Sequence, residues 1–201
     1  AIGMVIGFSG MIVISLIDYG WILKFYWLIY VFNVGLLSAV LLIGSSHHGA
    51  KRWIDITDGL TIQPSEFAKI FMILFLAKFL TVNKERISKW WFLIVTAGLA
   101  GITLLLIEKE PDLSTTILVT GLTIIMVFAA GISYKKIGII LAVFIPVAAA
   151  AIIYIQQPEQ KLLDDYQMKR INAFLYPDEY DDARYQQDNS VLAIGSGKLY
   201  G

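Results

Sequence analysis

The sequence predicts an all-α, polytopic membrane protein, and three observations carry that reading. Hydrophobic residues make up 57% of its 201 residues, and the mean hydropathy of +0.69 is above what a soluble domain of this size carries. The apolar residues gather in six runs close to the length of a membrane span, about 20 helical residues. None of these runs alternates polar and apolar positions as barrel strands do, and lipid leaves backbone groups no partner except in a helix or a closed barrel. Charged residues are only 16% and cancel to a net charge of zero, so no basic field points to nucleic acid as a partner. The chain has no cysteine, which removes disulfides, thiolate metal sites and cysteine nucleophiles from consideration.

The expected spans are residues 1–17, 25–44, 64–80, 90–107, 113–132 and 137–155, forming a bundle over 1–155, with a polar tail over 156–201. The first run begins on alanine with no basic leader before it. It therefore reads as a transmembrane helix whose start has been cut, not as a secretory signal. Pro146 within the sixth span is expected to bend it. The small-residue pairs Gly3/Gly7 and Ala97/Gly101 would permit close helix contact.

Orientation follows from where basic residues collect in short connections. Lys24, then Lys84, Arg86 and Lys89, then Lys135 and Lys136 occupy alternate loops, which are expected to be cytoplasmic. Tyr19, Trp21, Tyr26, Trp27, Trp90, Trp91 and Tyr134 fit an aromatic belt at the same level. The two intervening loops, where Asp55, Asp58, Glu108, Glu110 and Asp112 dilute the basic residues, are expected to face outward together with the tail.

Both outward loops lead into helices that carry chemistry. Pro64 suits the first turn of a helix, and Glu66 follows where a carboxylate meets the positive end of the dipole. Lys69, three residues on, shares its face and lies within ion-pair reach. Ionisable groups at membrane depth are costly unless paired or set in a watery cavity, so this pair is the leading candidate site. Arg52 could grip a phosphate and Trp53 could pack on a sugar or lipid; both also suit an interfacial anchor. Asp112 or Ser114 could cap the helix that follows Pro111. The adjacent His47 and His48 lack helical ligand spacing, so no metal site is assigned. Gly195-Ser196-Gly197-Lys198 fails as a phosphate loop, with Leu192 at the first glycine position and Leu199 after the lysine. The segment from Leu162 to Leu175 has the spacing of an amphipathic surface helix, and the acidic run Asp178, Glu179, Asp181, Asp182 reads as a hydrated turn.

Several of these segments, taken in order, resemble the SEDS family (shape, elongation, division and sporulation) of the RodA/FtsW/SpoVE type. They are Gly49-Ala50-Lys51-Arg52-Trp53, Gln63-Pro64-Ser65-Glu66-Phe67-Ala68-Lys69, Pro111-Asp112-Leu113-Ser114-Thr115, Arg170-Ile171-Asn172-Ala173-Phe174-Leu175-Tyr176-Pro177, Tyr185-Gln186-Gln187 and Asn189 through Gly197. The resemblance covers essentially the whole chain, and the look of the tail leans towards the RodA branch.

The resemblance implies a peptidoglycan glycosyltransferase of the bacterial cytoplasmic membrane. It would polymerise lipid II on the outer face with a class B penicillin-binding protein and use a divalent cation, Mg or Mn, for which no residue here is assigned. It also implies a bundle of about ten spans, so this chain is expected to be a fragment, inactive alone. The family's proposed catalytic aspartate would lie beyond Gly201. Supporting catalytic roles fall on Glu66 and Lys69, and substrate contact on Arg52, Trp53, Gln63, Ser65, Asp112, Arg170, Gln187 and Ser190. The alternative function is a flippase carrying the same lipid-linked precursor across the bilayer.

Overall fold

Apolar helices with one polar or small face dominate the computed structural model of the chain. It describes residues 2–47, 50–57, 60–157, 168, 171–172 and 181–197; at 2, 6, 46–47, 50–51, 56–57, 60 and 181–187 it describes the backbone alone. The helices are α1 (Ile2–Ser15), α2 (Tyr19–Ile22), α3 (Tyr26–Ile43), α4 (Pro64–Val82), α5 (Trp90–Lys109), α6 (Leu113–Ala129), α7 (Tyr134–Ile155) and α8 (Asp181–Gly197). A 3-10 turn, Leu23–Phe25, runs α2 into α3 as one apolar stretch. The chain divides into two units, Ala1–Ile137 and Gly138–Gly201.

Three helical stretches among the described residues are long and apolar enough to cross a bilayer by length and composition: Tyr19–Ile43, Trp90–Lys109 and Tyr134–Ile155. The other three expected spans are helical too, with physical reasons for falling short. α1, with 14 residues, falls below the usual span length and α6, with 17, lies at its lower limit. α4 is long enough at 19 residues but carries Glu66, Lys69 and Lys78.

Within the first unit, α4 lies at the centre, touching α3, α5 and α6. Its buried residues Ser65, Ala68, Met72, Phe75, Leu76 and Phe79 follow the three-four spacing of a helix face. α3 answers with Tyr30, Asn33, Leu37 and Val40, and α5 with Phe92, Thr96, Ala100, Thr103 and Ile107. Lipid is as apolar as leucine, so close packing and polar ties hold such helices together rather than a hydrophobic drive. Two such ties cross from α3 to α5. Tyr30 Oη donates to the Leu99 carbonyl at 2.9 Å, and Asn33 Nδ2 donates to Thr103 Oγ1 at 3.3 Å.

Towards the C-terminal end of α4 the packing is aromatic: Phe75 stacks on Phe79 at 5.4 Å and Phe79 on Phe92 at 5.2 Å, while Tyr30 and Trp27 close on Phe75 at 4.5 and 5.3 Å. Tyr26, expected only as an interface anchor, thus packs against the core, while Trp27 touches these rings and stays exposed. At the same end Lys136 lies 5.1 Å from the centre of the Trp90 ring and donates to the Ser88 carbonyl. The small-residue pairs make no close contact: a Cβ on Gly3, Gly7 or Gly101 would meet nothing within 4 Å. The packed face of α5 runs through Ala100 and Thr103, one position round from Ala97 and Gly101.

Between α3 and α4 the chain forms a small antiparallel sheet of β1 (Ser45–His47), β2 (Ala50–Thr57) and β3 (Leu60–Ile62), in that order. The all-helical expectation did not include it. Ser45 pairs with Trp53, Ile54 with Ile62, and bulges fall between Ser45 and Ser46 and between Asp55 and Thr57. Lys51, Arg52, Trp53 and Ile54 therefore stand on a strand at the end of the bundle rather than in an irregular loop.

Gly44 turns α3 into this sheet. Its N–H donates to the Val40 carbonyl at 2.8 Å, and a Cβ there would overlap that same oxygen. Gly131, with φ of +96°, makes the turn from α6 towards α7, a conformation that favours glycine.

In the tail, α8 carries Gly195, Ser196 and Gly197 in its last turn, with Ser196 Oγ donating to the Ala193 carbonyl at 3.0 Å, so the segment is helix rather than a phosphate loop. Asp181 and Asp182 begin this helix instead of forming a turn. The rest of the expected acidic turn and most of the expected amphipathic helix over 162–175 lie outside the described residues.

Gly44→Ala is expected to destabilise the full-length protein by about 1–3 kcal/mol through overlap, whereas Gly98→Ala, with open space around it, is not. Thermal unfolding of the two purified variants in one detergent checks this.

Candidate functional site

The polar residues at the N-terminal end of α4 meet those at the corner between α5 and α6, and β2 closes over them. α5 ends at Lys109 and α6 starts at Leu113, so Glu110, Pro111 and Asp112 must reverse the chain in three residues. A reversal this tight exposes the last carbonyls of one helix and the first amides of the next, all needing partners.

Asp112 serves the start of α6. Its Oδ1 accepts from the Thr115 amide at 3.1 Å, the bond of an N-cap, and its Oδ2 accepts from Thr115 Oγ1 at 2.9 Å. The same Oδ2 accepts from Gln63 Nε2 at 3.0 Å, with Ser65 Oγ at a longer 3.5 Å. Gln63 Nε2 also reaches Ser65 Oγ at 3.0 Å. One carboxylate, buried at 7% exposure, therefore caps α6 and fastens it to the first turn of α4. Asp112 was open between a cap and a substrate contact in the sequence; here its oxygens are occupied by protein donors.

Arg52 serves the end of α5. Its Nε donates to the Glu110 carbonyl at 2.8 Å and one Nη donates to the Pro111 carbonyl. A cation on the final carbonyls of a helix complements the negative end of its dipole. The sequence reading turned Arg52 towards a phosphate, whereas these two donors are spent on peptide carbonyls. Trp53 is half-buried beside it, and its carbonyl accepts from Ser45 Oγ at 3.2 Å.

Glu66 and Lys69 lie on the rim of this cluster. With Ser65 and Ala68 facing inward, Glu66 falls on the exposed side of α4 and Lys69 is half-buried. Lys69 Nζ and Glu66 Oε2 are 2.5 Å apart. This pair is the part of the site open to a ligand, since its charges are placed at a lip rather than enclosed.

Glu110 went unrecognised as a site residue in the sequence. It is fully buried, and neither carboxyl oxygen has a hydrogen-bond partner. Lying one residue beyond the end of α5, it is pushed up to about 8, first by burial and then by the neighbouring Asp112 charge; Ser65 and Arg52 oppose this. A sequence signal existed in the acidic residue two before Asp112, flanked by Lys109 and Pro111, but composition made it only one more loop charge.

Ser190 is exposed on α8 and Gln187 lies on the same helix, both in the second unit. Arg170 lies outside the described residues, as do His48 and Asp58. Among the described residues no three histidine or acidic groups converge to hold a metal ion.

Comparison with known proteins gives a consistent picture. Residues 1–201 match the family model of FtsW, RodA and SpoVE, described as cell cycle proteins. A probable peptidoglycan glycosyltransferase FtsW of Buchnera aphidicola subsp. Schizaphis graminum is 33% identical over 87% of this chain and 47% of its own length. One of the same description from Pseudomonas fluorescens is 30% identical over 98% of this chain and 47% of its own. The chain thus spans about half the length of these relatives, whose FtsW name does not follow the lean towards the RodA branch. Among solved structures, a chain of a peptidoglycan synthase complex that coordinates polymerization and crosslinking superposes with a TM-score of 0.72. It is 23% identical, over 88% of this chain and 50% of that one. The rod shape determining protein RodA of Thermus thermophilus superposes with a TM-score of 0.58, at 24% identity, over 72% of this chain and 46% of that one. These two likenesses speak to fold.

Asp112→Ala is expected to destabilise the full-length protein by about 2 kcal/mol or more, since it removes a cap and strands buried donors. Asp112→Asn, which still offers an oxygen to Thr115, is expected to cost less. Denaturation midpoints of the two variants decide between this and a purely solvated aspartate.

Proposed function

Because the chain belongs to the FtsW/RodA/SpoVE family of cell cycle proteins, we propose that the whole protein polymerises lipid II into glycan strands at the outer face of the bacterial cytoplasmic membrane. A class B penicillin-binding protein is its partner in this reading. Support comes from the names of the curated relatives and from one observation on this chain. The Glu66–Lys69 pair sits on the lip of a buried polar cluster, at one end of a helical membrane bundle. An anionic lipid headgroup brings negative charge to that depth.

In glycan polymerisation an acceptor hydroxyl oxygen bonds to the anomeric carbon of the donor sugar. The bond from that carbon to the lipid pyrophosphate breaks, and its electron pair leaves on the phosphate oxygen. Stabilising the charge that develops there is the largest service a protein can give. Lys69 is placed for it, and Glu66 holds the Lys69 ammonium in position until the pyrophosphate competes for it. Arg52, Gln63, Ser65 and Asp112 act behind this pair by fixing the ends of α4, α5 and α6. The hydroxyl's proton goes to a general base that is not assigned among the described residues, and a divalent cation, Mg or Mn, would be held by groups other than these.

Lys69→Ala in the full-length protein, with its partner and purified lipid II, is expected to lower glycan synthesis by about 100-fold or more, and Glu66→Ala by about tenfold or more. Wild-type turnover in both variants would reject the role. Movement of lipid II across vesicle bilayers with no polymer formed would replace the polymerase reading with the carrier.

A further inference from the structure

The side chain that neither the fold nor the proposed reaction accounts for is Glu110. Buried polar groups are nearly always hydrogen-bonded, and one that is not asks for an explanation. Here both carboxyl oxygens are without a hydrogen-bond partner among the described residues, in a fully buried residue. Three features of the geometry oppose a negative charge at this place. No donor among the described residues makes a well-formed hydrogen bond to the oxygens, the Ser65 hydroxyl being near enough only to favour the charge weakly. The residue sits directly after the last turn of α5, with its N–H on the Ile107 carbonyl at 3.1 Å, where the helix dipole is negative. The Asp112 carboxylate, already held by donors from Gln63 and Thr115, is two residues away. Arg52 on β2, whose charge favours the ionised acid, spends Nε and one Nη on carbonyls of this corner; α4 presents the Ser65 hydroxyl, and Glu66 and Lys69 are paired with each other.

We propose that Glu110 is a positioning residue: it occupies the corner between α5 and α6 as a neutral acid, keeps that corner seated beneath Arg52 and over Asp112, and loosens it on losing its proton. The burial that pushes this carboxyl up to about 8 places the change at the alkaline edge of the physiological range. Through Asp112 and Gln63 the corner is joined to the first turn of α4, so its loosening reaches Glu66 and Lys69. The link to catalysis rests on the polymerase reading above; the protonation of Glu110 does not.

The sign of the effect is fixed. An acid whose folded-state pKa lies above its ordinary value of 4.5 contributes stability that is complete below that value and is lost as pH rises through about 8. The experiment uses the full-length protein with its partner, as wild type, Glu110→Gln and Glu110→Ala, and reads melting temperature and lipid II polymerisation from about pH 5 to about pH 9. Wild type is expected to lose melting temperature across that range and to lose polymerisation severalfold at its alkaline end. Glu110→Gln, which copies the neutral acid, is expected to flatten both profiles while polymerising near the wild-type rate at the acidic end. Glu110→Ala is expected to fall about tenfold throughout. Identical pH profiles for Glu110→Gln and wild type would overturn the proposal. So would a Glu110→Gln protein that melts normally but polymerises no better than Glu110→Ala. A wild type that shows the melting profile yet makes no glycan would strike the polymerase reading and uphold the neutral Glu110.

Discussion

One buried carboxylate joins the helix ends on which the site is built. Asp112 accepts from the backbone and hydroxyl of Thr115 at the start of α6 and from Gln63 at the start of α4. In a bilayer, apolar faces have little reason to choose one another over lipid, so a polar tie of this kind carries much of the specificity of assembly. Since the tie includes the residue before α4 and the second residue in it, it also fixes the rotation of that helix. That rotation is what puts Ser65, Ala68 and Met72 inward and leaves Glu66 on the outside with Lys69 beside it.

The two ends of the bundle are built on different physics. Where α4 ends and α5 begins, rings of Phe75, Phe79 and Phe92 stack against one another and against the residues of α3. Such contacts add to packing without bringing charge. Where α4 and α6 begin, the fastening is by hydrogen bonds from Arg52 to the Glu110 and Pro111 carbonyls and from Gln63 and Thr115 to the Asp112 carboxylate, all at the corner between α5 and α6. The buried charged side chains among the described residues, Glu110 and Asp112, lie at this second end.

The helices were legible in the sequence because apolar runs of near-span length leave the backbone no other choice in lipid, and α5 and α7 match their expected runs to within a few residues. The sheet between α3 and α4 was not legible. Its strands are short, His47 and Lys51 interrupt any alternation, and bulges at Ser45 and Asp55 break the pairing that a period of two would reveal. The Glu66–Lys69 ion pair was legible because a spacing of three on one helix is a local property. Gln63 meets Asp112 across 49 positions of chain, and nothing in either segment alone announces the partner. Arg52 suits, by its residue type, either a phosphate contact or an interfacial anchor. Its distance of 58 positions from the Glu110 carbonyl hid the simpler duty of closing a helix end. Glu110 was missed because burial, not residue type, separates it from the solvated Glu108.

In the proposed function Glu66 and Lys69 face the outside of the cell, where lipid II would be polymerised. The most direct test is a single cysteine at that position, Glu66→Cys, in the full-length protein and in intact cells, read with a thiol reagent that cannot cross the membrane; the chain here brings no cysteine of its own. The account predicts labelling from outside before the cells are opened. Labelling that requires access from the cytoplasmic side would contradict it.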